Sequence, residues 1–111
     1  MHSRIARTLF VVGALVATNG AAGAADAGRV EKGLAIARVQ CAECHLLGKE
    51  KGLSTNVMAP TFAEIANTPG MTAAALKVAL STPHEVMPNL VIKGETADSL
   101  IAYILSLKNS P

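Results

Sequence analysis

The reading of this chain turns on Cys41-Ala42-Glu43-Cys44-His45, which holds both of its cysteines and one of its three histidines. The motif closes a segment, Asp26 to about Gln40, in which Val30, Leu34, Ala37 and Cys41 recur at helical spacing. Arg29, Glu31, Lys32 and Arg38 fall on the other sides. At the end of a helix, residues i and i+3 point the same way, so the spacing sets the two thiols side by side. His45 follows at once. Three soft or borderline donors within five residues suit a metal or a metal-bearing cofactor.

C-x-x-C-H is the attachment sequence for a c-type haem. In that reading Cys41 and Cys44 each add as a thioether to one vinyl group, and His45 lies under the iron as proximal ligand. Three rival readings compete with it. A redox dithiol is expected beside a βαβ unit, and no strand is legible here. A tetrahedral zinc site needs four ligands; Cys41, Cys44, His45 and His84 can be counted, without a second pair at motif spacing. A Cys41–Cys44 disulfide closes too small a loop to stabilise much.

The rest of the chain makes an attached cofactor useful. The N-terminus reads as an export leader: Arg4 and Arg7, then an apolar run from Thr8 to Ala17, too short for the ~20 residues of a membrane span. Ala22-Gly23-Ala24 fits a cleavage site, which makes 1–24 a signal peptide and 25–111 one small domain. Cutting 24 of 111 residues leaves 87 and removes Arg4 and Arg7, so ten basic residues fall to eight, against eight acidic. The mature chain is neutral despite a sequence pI near 8.7. It offers no basic patch for nucleic acid or anionic lipid, and no membrane span is expected after cleavage. It keeps one Phe (Phe62), one Tyr (Tyr103) and no Trp. A domain so short of large apolar side chains needs a staple, and a flat apolar cofactor can serve as one.

Four helices and no strands are expected: Asp26 to about Gln40, Thr61–Asn67, Ala73–Ser81 and Glu95–Leu107. Thr72 is the expected N-cap of the third. The last helix carries a broad apolar stripe of Leu100, Ile101, Ile104, Leu105 and Leu107. Residues 46–60 and 82–94 are expected to be loops. A haem with His45 alone would leave an open position for gases or peroxide, whereas a second protein ligand makes an electron carrier. The candidates are His84, Met58, Met71 and Met87. Met58 is only thirteen residues from His45, and Met71 adjoins a helix start and reads as a core methionine. Met87 stands in a loop and is stiffened by Pro88, so it is the expected axial ligand opposite His45. His84 then reads as a surface neighbour, as does Glu85.

Taken together, these residues resemble the class I c-type cytochromes, in particular the short single-haem periplasmic kind, over essentially all of residues 25–111. Gly33 and Ala37 stand where that family has its contact between first and last helices, and Met87-Pro88 is similar to its distal ligand motif. The resemblance implies an all-α cytochrome c fold of about four helices around one covalent haem c. It further implies that the Pro60 carbonyl accepts the N–H of His45, so that Cys41, Cys44, His45, Met87 and Pro60 bind the cofactor and His45 and Met87 ligate the iron. The last helix has Lys93-Gly94 where a Ser or Thr cap is usual, and no Trp is present to hold a propionate. The expected function is one-electron transfer in the periplasm, between a dehydrogenase as donor and an oxidase or another cytochrome as acceptor. The alternatives are the haem subunit of a periplasmic dehydrogenase complex and an open-site sensor or peroxidase. The chain would be a monomer or one subunit of a heteromer.

Overall fold

Helix-forming sequence and two threonine caps account for the elements seen in the structure, a computed structural model that describes residues 10–15, 20–83, 86, 87 and 90–109. They are α1 (Gly20–Gln40), α2 (Phe62–Asn67), α3 (Ala73–Ser81) and α4 (Gly94–Ser106), with no strand among the described residues. The all-α expectation therefore holds. Helix α1 begins six residues earlier than expected, because Gly20–Ala27 is rich in alanine, the best helix former, which outweighs the cost of Gly23. Residues 10–15 are all exposed and pack on nothing. Among the described residues no helix is long and apolar enough to cross a membrane.

Helix α2 is short and survives through its cap. Thr61 Oγ1 accepts the Glu64 N–H at 3.1 Å while Glu64 Oε2 accepts the Thr61 N–H at 2.7 Å, a reciprocal capping box. Thr72 caps α3 in the simpler way, its hydroxyl accepting the Ala75 N–H at 3.1 Å. At α4 the Lys93 side chain makes no cap bond; Gly94, at φ 64°, turns the chain into the helix instead.

Helix α4 packs against the other three. Its Leu100, Ile101, Ile104 and Leu107 are buried and Leu105 is half-buried, in line with the stripe read from the sequence. From α3 come buried Leu76 and Leu80. The closest approach is between α1 and α4. A Cβ on Gly33 would lie 2.7 Å from the Ser99 carbonyl carbon and 2.8 Å from Tyr103 Cβ, so only glycine allows the two backbones to touch. One turn on, Ala37 is fully buried, and Val30 and Leu34 flank the core. Asn67 ties the end of α2 to the C-terminus, donating from Nδ2 to the Leu107 carbonyl at 3.3 Å and accepting the Asn109 N–H at 2.6 Å.

Candidate functional site

The C-terminus of α1 continues into a turn, in which the N–H groups of Cys44 and His45 both donate to the Cys41 carbonyl, at 3.2 and 2.9 Å. This turn brings Cys41 (buried), Cys44 and His45 (both half-buried) to one cavity of about 470 Å³. Both thiols are free. Burial pushes the Cys41 thiol above its ordinary pKa of 9.0 and keeps it protonated near neutral pH.

His45 is held from two sides. Its Nδ1 lies 2.7 Å from the Pro60 carbonyl oxygen. A carbonyl can only accept, so Nδ1 carries the proton and Nε2 keeps its lone pair for a ligand. Phe62 packs against the ring with centroids 5.4 Å apart and planes at 51°. Phe62 in turn meets Tyr103 of α4 at 6.3 Å, and the Tyr103 hydroxyl donates to the Leu47 carbonyl at 2.6 Å. Burial raises the Tyr103 phenol above its usual 10.0, the Glu50 carboxylate adds to the rise, and Arg38 opposes it.

Loop 46–60 returns the chain from the motif to Pro60 through a clasp of hydrogen bonds. The Asn56 N–H donates to the Cys44 carbonyl (3.2 Å), the Leu46 N–H to Ser54 Oγ (3.0 Å) and the Phe62 N–H to the Leu46 carbonyl (2.9 Å). The cavity between this loop and α3 and α4 is lined by apolar side chains, among them Ile65, Leu76, Leu80, Leu100 and Ile104. No charged side chain lines it among the described residues.

Met87 lines the cavity, together with Val86, and is half-buried. So do Met58 and Met71, which brings all three methionines of residues 25–111 to one cavity. Met71 also packs against the core, whereas Met58 is 84% exposed at the rim. His84, Glu85 and Pro88, which entered the reading of the distal loop, lie outside the described residues. Among the described residues no three His, Cys, Asp or Glu side chains stand close enough together to hold a metal ion.

Comparison of the chain with protein-family models, with curated proteins and with solved structures returned no match.

The donor set and the cavity fit a covalent haem. Two free thiols three residues apart, an imidazole whose Nε2 is available, and a thioether from a separate loop all open on one apolar space. Its volume lies within the ~300–1,000 Å³ usual for small-molecule and cofactor sites. Sequence reading missed Phe62 against His45 and the buried hydroxyl of Ser54. The only signal for Phe62 was that it is the sole Phe of residues 25–111 and follows Pro60 by two residues; Ser54 had none.

Proposed function

We propose that this chain is an exported single-haem c-type cytochrome, with a small cytochrome c fold, that carries one electron at a time between periplasmic redox proteins. The observation that carries the reading is the convergence of Cys41, Cys44, His45 and Met87 on one apolar cavity while the Pro60 carbonyl engages His45 Nδ1. Cys41 and Cys44 would hold haem c through thioethers, with His45 and Met87 as iron ligands. When bound, that group supplies reversible one-electron exchange.

The chain's own residues set the conditions for that exchange. Pro60 holds the N–H of His45, which selects the tautomer and makes the ring a stronger donor. With Met87 as the second ligand, its thioether would favour the reduced state, so the pair would tune the potential upward relative to two histidines. The apolar lining keeps water out and penalises added positive charge, which acts in the same direction. Donor and acceptor would be a periplasmic dehydrogenase and an oxidase or a second cytochrome.

A second reading, the haem subunit of a dehydrogenase complex, is favoured by exposed apolar residues. Met58 and Val86, which line the cavity, are 84 and 92% exposed, and Leu53 and Val57 of loop 46–60 are 79 and 74% exposed. Such a surface suits a lasting interface. Purification from the native source separates the two: a free carrier elutes alone, a subunit with its catalytic partner.

The test of the first reading is a haem stain on a denaturing gel followed by ferric and ferrous absorption spectra, for wild type and Met87→Ala. Wild type is expected to retain haem through denaturation and to show the weak red band of iron–thioether bonding. Met87→Ala should lose the band and fall in potential. If wild type lacks the band, the sixth ligand is His84 or the position is open, and a sensor or peroxidase takes precedence; if Met87→Ala keeps it, another methionine is the ligand.

A further inference from the structure

Loop 46–60 contains one buried polar side chain to which the proposed electron transfer assigns no role. Ser54 is 5% exposed, and its Oγ accepts the N–H of Leu46, the residue after His45. The carbonyl of the same Leu46 accepts the N–H of Phe62, two residues past Pro60. Leu46 is thus held by Ser54 from mid-loop and by Phe62 from just past the loop's end. Pro60, fifteen positions from His45, meets Nδ1 across the loop that these two bonds close. Of the three bonds in the clasp, two are backbone to backbone, and the Ser54 bond alone depends on a side chain.

Resting on the haem reading above, we propose that Ser54 is a positioning residue for the proximal ligand: by pinning Leu46 it holds the Pro60 carbonyl on His45 Nδ1–H and so tunes the reduction potential. Removing the hydroxyl leaves the Leu46 N–H without its partner in a part-buried place, and the loop must shift to bring it a new one. The shift moves the segment that carries Pro60. A looser Nδ1–H···O=C bond makes the imidazole a poorer donor, and a poorer donor stabilises the ferric state less than before. The potential therefore rises. Threonine keeps a hydroxyl at the same place and restores the pin.

The experiment uses the full holoprotein as wild type, Ser54→Ala and Ser54→Thr. It reads the midpoint potential, the hydrogen-exchange rate of His45 Nδ1–H by NMR, the red thioether band and the thermal midpoint. In Ser54→Ala the potential is expected to rise and Nδ1–H exchange to quicken about fivefold to tenfold, the consequence of weakening one hydrogen bond. The red band stays, and Ser54→Thr returns both readouts to wild type. If Ser54→Ala only lowers the thermal midpoint, with potential and exchange unchanged, Ser54 merely closes the loop and the proposal is overturned. If wild type carries no covalent haem, the haem reading itself fails and takes this proposal with it.

Discussion

Tyr103 shows how one side chain of α4 reaches the motif. Its ring closes the line from His45 through Phe62, and its hydroxyl returns to Leu47, two residues past His45. Tyr103→Phe should cost about 1 kcal/mol near neutral pH, the usual net worth of one hydrogen bond. The pH dependence has a definite sign. The folded phenol is raised above 10.0, so it stays protonated where the unfolded chain has begun to ionise. Its contribution is complete below that pH and is lost as pH climbs through the raised value. Urea titrations from pH 7 to 11 should therefore show the gap between wild type and Tyr103→Phe closing above about pH 10. A gap that is constant with pH would remove Tyr103 from the ionising groups that matter. At this scale Cys41, Cys44 and His45 were legible in the sequence because their five-residue spacing is itself the chemistry. Ser54 was not, since a serine in a loop carries no sign of being buried.

Among the elements, the α1–α4 pair bears the fold, and Gly33 is where it is most exposed to damage. The atoms facing a new Cβ there belong to the Ser99 backbone and to the first carbon of Tyr103, so no flexible side-chain end can move aside. Gly33→Ala should destabilise by about 3 kcal/mol, the upper end of overpacking costs. Gly28→Ala, on the same helix with nothing within 4 Å of its Cβ, should be neutral or stabilise by up to about 1 kcal/mol. Chemical denaturation of the two variants tests this, and equal effects would show that the helices do not pack as closely as described. The single ion pair among the described residues, Lys77–Asp98 at 3.2 Å between α3 and α4, is about half exposed and adds little. Helices α2, α3 and α4 were legible to within a residue because caps and apolar stripes are local signals. The early start of α1 was not, because Gly20–Ala27 has helix-forming composition but no periodic face.

For the molecule as a whole, the decisive feature is an open apolar cavity of about 470 Å³ where the end of α1, loop 46–60, α3 and α4 meet. The haem reading explains it as the seat of the cofactor that replaces missing aromatic bulk. Expression of Cys41→Ser/Cys44→Ser should therefore yield a chain that retains no haem on denaturing gels. Its circular dichroism should show reduced helix and no cooperative thermal transition. A cooperative transition equal to that of wild type would mean that the protein core suffices alone.

The sequence by itself determined the four-helix pattern, the paired thiols with their histidine and the apolar stripe of α4, because each is written in spacings of three or four residues. The link between Pro60 and His45 followed only from resemblance to a family, as nothing local in residues 46–60 announces it. Tertiary structure alone decided that Phe62 packs on His45, that Ser54 pins Leu46 and that Met58 and Met71 join Met87 at one cavity. Those contacts join residues eight to twenty-nine positions apart. They exist only once the 46–60 loop has closed, and that closure leaves no periodic trace in the chain.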